Sequence, residues 1–273
     1  MIPVAIHRAV RLLCLGTAFA ASAAQAGTYT DFVQANDRYA VLMLHAKPAQ
    51  GLPQLSDPAV APLLAIVTDG PRLFAKPDAP LANMQTSIGI CTQVGDYARY
   101  YQKAGLAGLS SQEAQRAQVE RNLARYGDEM SALFGFVIDC NAHLVTLMDA
   151  ERQARPEEAA TEAGKERLHD FSVNSATAYA GLVQFVAMPY WTVPQKKTML
   201  EAAARHATVN AAMMKPEMRQ ALLASLADNA ASFDPSLAAP LAAVNVFGGF
   251  LVTQRMLEMF RKKEPKAKQG AKE

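Results

Sequence analysis

The sequence is poor in the patterns that carry chemistry. It has no G-x-S-x-G elbow, no glycine-rich phosphate loop beside a strand, no C-x-x-C pair and no H-E-x-x-H. Serine hydrolysis, P-loop chemistry, dithiol cycling and zinc peptidase chemistry therefore lack their usual signatures. No catalytic residue is assigned, and no cofactor is expected. Aromatic residues are only 7% of the chain, whereas strands concentrate aromatic and β-branched side chains. The abundance of alanine and leucine favours packed helices instead. No basic stripe with interleaved aromatics occurs, which argues against a nucleic-acid partner. No internal repeat is present.

What remains is a chain of 273 residues, 51% hydrophobic, with ample apolar material for one sizeable core. The formal charge of +2 conceals a segregation. From Arg255 onward seven basic residues face three acidic ones, Arg8 and Arg11 sit near the N-terminus, and the long middle is mildly acidic. The first residues read as a secretory signal: Arg8 and Arg11, an apolar run from Leu12, then Ala24-Gln25-Ala26 before Gly27. The apolar run is short for a membrane span, which needs about 20 residues. The expected division is a signal peptide at 1–26, an exported, periplasmic helical domain at 27–234, a candidate transmembrane helix at 235–254 and a basic cytoplasmic tail at 255–273. The expected fold class is all-α, a multi-helix bundle with a C-terminal transmembrane helix.

Two cysteines remain after the signal. Val119, Leu123, Tyr126, Met130, Leu133, Val137, Cys140, Leu144 and Leu147 step by four and three, the stripe that a helix buries. Met84, Ile88, Cys91, Val94 and Tyr101 form a second stripe. Ser110 and Glu113 read as a capping box after a loop at Gly105–Gly108, making the two helices antiparallel neighbours. In an oxidising compartment this predicts a Cys91–Cys140 disulfide, the alternative being two small buried hydrophobes. Prolines between Pro48 and Pro80 break the preceding stretch into turns and short helices. Further helices are expected at 31–45, from Pro156 to Met188, from Gln195 to Met214, from Pro216 to Asn229, and after Asp234 as N-cap.

Metal-ligating patterns are thin. Asp139 and His143 lie four apart on one helix, so a carboxylate and an imidazole could converge on an ion, but two ligands do not make a site. Glu166 and His169 have the E-x-x-H spacing of di-iron bundles, in a single copy where such sites use two. Met199, His206, Met213, Met214 and Met218 could suit a soft metal, although methionines in helical cores usually fill gaps.

The stretch from Pro235 to Gln254 carries no charge, and twenty helical residues span about 30 Å, the thickness of a bilayer's hydrocarbon core. The basic residues that follow fit a cytoplasmic flank. The sequence "AAVNVFGGFLVTQRMLEMFRKKEPKAK" resembles the end of the membrane portion of the alpha subunit of proton-translocating NAD(P) transhydrogenase. The resemblance rests on Asn245, Gly248, Gly249, Phe250, Thr253, Gln254, Arg255, Met256, Leu257, Met259 and Phe260. It implies a final transmembrane helix and a transhydrogenase subunit as partner. The family's preceding membrane helices and nucleotide-binding region have no counterpart here, so no catalytic role transfers. Three functional expectations follow: a non-catalytic, membrane-tethered exported domain that binds or scaffolds another envelope component, a membrane component of a transhydrogenase, or a soluble periplasmic metal-binding protein.

Overall fold

The computed structural model describes residues 28–46, 51–76, 79–211 and 214–242. The expected signal peptide, Met213 and the family-like motif from Asn245 to Phe260 lie outside the described residues. Within them the chain is a helical bundle with no strand. Its helices are α1 (28–45), α2 (Ala61–Val67), α3 (Gly70–Phe74), α4 (Met84–Lys103), α5 (Gln112–Ala154), α6 (Pro156–Ala160), α7 (Glu162–Ala187), α8 (Val193–Ala211), α9 (Pro216–Ala231) and α10 (235–242).

The 43-residue α5 is the axis of the bundle. Its middle is buried on several sides rather than along one stripe: Leu133, Phe136, Ile138, Asp139, Cys140 and Ala142 are all buried. The helix kinks at Tyr126 (φ −123°, ψ 19°). Gly127 follows, and a Cβ there would fall 2.5 Å from Gln195 Nε2, so the missing side chain lets α8 close on the bend.

Cross-helix pairs give the topology. Tyr101 meets Tyr126, Cys91 meets Cys140 and Ser87 meets His143, so α4 runs antiparallel to α5. Gln195 bonds Asp128, His206 bonds Asp139 and Asn210 bonds Asn141, so α8 runs parallel to α5. Phe185 packs on Phe134 while Ser175 reaches Asn141, which makes α7 antiparallel. Phe32 stacks near Phe136 while Tyr39 bonds Tyr101, so α1 lies antiparallel to α5 as well.

Several sequence expectations are corrected. The N-cap of α5 is Ser111, whose side chain accepts from Ala114 N–H, one residue past the expected Ser110; Glu113 then supports the first turn through its charge rather than a capping box. The face of α4 turned inward carries Ser87, Val94, Tyr97, Ala98 and Tyr101, and Ile88 is exposed. The helix expected from Pro156 to Met188 is two helices broken at Thr161, an extended residue that caps α7 through Gly164 N–H. Gly164 allows the tight turn, since a Cβ there would fall 2.2 Å from the Glu158 carbonyl oxygen. Asp234 does cap α10, accepting from Ser236 N–H at 3.1 Å. In the α4–α5 loop Gly105 and Gly108 take positive φ (70° and 84°), a conformation that glycine adopts without strain.

Candidate functional site

Three buried polar assemblies sit along α5. The first is the disulfide. Cys91 of α4 and Cys140 of α5 are joined, with Cα atoms 5.7 Å apart and a sequence separation of 49. Cys140 is buried, so the bond lies against the core.

The second surrounds Asp139, next to Cys140. Its side chain is 4% exposed, and Oδ1 accepts from His206 Nε2 at 2.7 Å and from Arg205 Nη2 at 3.3 Å. Both partners come from adjacent positions on α8. On the other side Gly70 lies so close that a Cβ would meet Asp139 Oδ2 at 2.5 Å, so Gly70 makes room for the carboxylate. A buried carboxylate is costly unless it is paired, and α8 supplies that pairing. The layer continues: Asn141 donates to Asn210 at 2.5 Å, Asn210 donates to the Tyr179 hydroxyl at 2.8 Å, and Ser175 donates to Asn141 at 3.1 Å. Burial pushes the Tyr179 hydroxyl well above its ordinary range, so it stays a neutral phenol. This polar layer ties α5, α7 and α8 to one register.

Asp139 and His143 share a helix but turn to different neighbours. His143 Nε2 lies 3.0 Å from the Leu81 carbonyl and 3.1 Å from Ser87 Oγ, and the ring stacks on Phe74 at 4.4 Å. Burial lowers its pKa, with the Leu81 bond opposing. Glu166 and His169 lie exposed on α7, apart from that pair. Among the described residues no group of three or more His, Cys, Asp or Glu side chains is placed to hold a metal. Met199 and Met214 are buried and Met218 is exposed, while His206 is engaged by Asp139.

The third assembly pins the proline-rich segment 51–60 to the bundle. Tyr39 donates to Tyr101 at 2.6 Å, and Tyr101 donates to the Pro53 carbonyl at 2.5 Å. Tyr126 accepts from Leu52 N–H, and the buried Glu129 accepts from Leu55 N–H at 2.5 Å. Desolvation raises the Glu129 carboxyl and the Tyr39 and Tyr101 hydroxyls, and pushes Tyr97 up to about 12. Beside this segment a groove of about 450 Å³ opens between α1 and α4, lined by Met43, Leu44, Leu52, Tyr97 and Tyr100 with Asp96 at its edge.

Sequence reasoning missed most of these partners. His206 stands 67 residues from Asp139, and no local spacing announces the pair. Tyr97 and Tyr101, four apart on α4, were the one available signal for the tyrosine cluster.

The class defined so far is a disulfide-stapled helical bundle organised around one long central helix. Comparison with known proteins adds a relation at its C-terminal end. Residues 199–262, under a quarter of the chain, match the family described as the 4TM region of pyridine nucleotide transhydrogenase. The chain is also 75% identical over 24 residues to an NAD(P) transhydrogenase subunit alpha segment of Rhodospirillum rubrum, which is 9% of this chain and 17% of that protein. A second sequence of the same name from a strain of that organism matches equally. The chain thus covers about a sixth of the length of these curated relatives. No solved structure matches the chain. The resemblance to the transhydrogenase membrane portion is real, and it begins at Met199 in α8, well before the stretch from Ala242 onward that suggested it. Membrane association is the coarse property this match supports.

Proposed function

We propose that this chain is a membrane-associated component that assembles with a transhydrogenase-type membrane partner through its C-terminal region, while residues 27–234 form an exported, non-catalytic domain. The match over residues 199–262 carries this reading. On this reading hydride transfer between nicotinamide nucleotides is the work of nucleotide-binding domains on the partner. The chain contributes assembly and anchoring. The disulfide supports export, because such bonds persist in oxidising compartments. That compartment in turn fits cleavage of residues 1–26 as a signal peptide and a cytoplasmic basic tail at 255–273.

A crossing that starts at residue 235 must draw on α10, whose Leu241 is packed in the bundle. Burying a leucine is worth about 1.5–3 kcal/mol. Lipid is as apolar as the core, so moving Leu241 from one to the other costs little of that.

The test is mild-detergent purification of the tagged full-length chain from cells that also produce a transhydrogenase beta-type subunit. Co-purification that is lost when residues 243–273 are deleted supports the proposal. Recovery of the full-length chain without that subunit contradicts it. A second reading, in which the exported domain binds or scaffolds another envelope component, draws support from the open apolar groove between α1 and α4.

A further inference from the structure

The exposed apolar side chains are unevenly distributed. Among the described residues the four most exposed large hydrophobics are Leu44 (82%), Tyr100 (62%), Val193 (54%) and Val41 (53%). They come from three helices far apart in sequence, yet the pairings above bring them to one end of the bundle. There α1 and α4 end, and α5 and α8 begin: Tyr101 is level with Tyr126, and Gln195 with Asp128.

The connections at this end are apolar too, although loops are normally the polar portion of a domain. The α4–α5 loop carries Leu106 and Leu109, and the α7–α8 turn reads Met188-Pro189-Tyr190-Trp191-Thr192-Val193. Tyr190 is exposed and donates to Glu120. Cations border the patch. Lys103 closes α4, and Arg116, Arg121 and Arg125 are exposed on the first four turns of α5, where Glu113 and the Tyr190-bound Glu120 are the acidic side chains.

The start of α10 lies at this end as well. Asp234, the cap of α10, bridges Lys197 of α8 at 3.2 Å, one turn from Val193. Eight helical residues reach only about 12 Å beyond it.

We propose that this end of the bundle rests on the surface of the bilayer, with Leu44, Tyr100, Tyr190 and Val193 in the interfacial layer and the arginines of α5 against anionic headgroups. The inference depends on the membrane anchoring proposed above, and it adds an orientation and a lipid-contacting face. Amphipathic tyrosines with apolar neighbours suit that layer, and flanking cations add attraction to anionic lipid.

Trp191, the single tryptophan, is buried in the α7–α8 turn between the exposed Tyr190 and Val193, so its fluorescence reports bromine brought close to this end rather than direct contact with lipid. The full-length protein is reconstituted into vesicles of phosphatidylethanolamine and phosphatidylglycerol, with and without brominated acyl chains, and flotation is followed beside Trp191 fluorescence. The expected result is flotation with quenching by the brominated lipid, and loss of that quenching in the Leu44→Glu/Val193→Glu variant, which still floats. Val41→Glu, at another exposed position, is the second variant should the double substitution fold poorly. Flotation without quenching, or quenching that neither variant changes, overturns the docking while leaving the anchor in place. Failure of the unmodified chain to float overturns the anchor and the docking with it.

Discussion

The helix α5 and the stretch from Met199 to residue 242 carry opposite halves of what a membrane protein usually puts in one place. Among the described residues α5 is the helix long and apolar enough to cross a bilayer, yet 61% of its most apolar window is buried inside the bundle. It also holds Glu129 and Asp139 in its buried middle, each satisfied by a neighbouring segment. The stretch after Met199 matches a membrane family, yet α8 and α9 carry Glu201, Arg205, His206, Glu217, Arg219 and Asp228. In α5 length and apolarity mark a core helix, while in α8 and α9 the family match falls on helices that carry charge.

The largest losses are expected where α5 packs on α8. Met199, the first matched residue, is fully buried on α8, and Leu133 is fully buried on α5. Met199→Ala and Leu133→Ala should each destabilise the bundle by about 2–5 kcal/mol in chemical unfolding. A loss below that range at both sites would mean that α5 and α8 are not core partners.

The disulfide comes next. The double variant Cys91→Ser/Cys140→Ser should lose about 2–4 kcal/mol relative to the oxidised protein, since the bond closes a long loop. Dithiothreitol should lower the midpoint of unfolding of the native protein and leave the variant unchanged.

Smaller effects are expected in the polar layer. Asn210→Ala removes a donor to Tyr179 and an acceptor for Asn141, so about 1–3 kcal/mol should be lost as buried groups go unpaired. Tyr179→Phe should cost less, because Asn210 keeps its bond to Asn141.

The smallest effects are in the pH dependence, where two groups pull in opposite directions. His143 has its folded pKa below the ordinary 6.5, so its contribution is present above that value and is lost as pH falls toward the depressed one. Glu129 has its folded pKa above the ordinary 4.5, so its contribution is present below that value and is lost as pH rises through the raised one. His143→Gln should therefore flatten the decline of stability below pH 6.5. Glu129→Gln should flatten the decline above pH 4.5. Both follow from melting temperatures across the pH range, and unchanged profiles would contradict the burial argument.

Helix identity and most helix starts were legible because capping residues, prolines and apolar periodicity are local. Pro216 and Asp234 mark helix starts where the sequence places them, and the Cys91–Cys140 pair follows from two helical stripes joined by a short loop. Expectations failed where two local signals competed or where the partner was distant. The cap of α5 is Ser111, next to the expected Ser110, and its side chain accepts from Ala114 N–H. Thr161 breaks what reads as one helix, because Thr161 can cap α7 and Gly164 can sit on the Glu158 carbonyl. The Asp139–His206 pair depends on a contact between helices remote in sequence, which no spacing rule encodes, and of the tyrosine cluster under segment 51–60 only the Tyr97–Tyr101 spacing on α4 is local.

On the proposed reading, attachment to the membrane needs the uncharged stretch 235–254 and not α5. The most direct test is alkaline carbonate extraction of membranes from cells that produce either the full-length chain or the chain ending at residue 242. The account predicts that the full-length protein stays in the pellet and the truncated one is released. Retention of the truncated chain, or release of the full-length one, would contradict it.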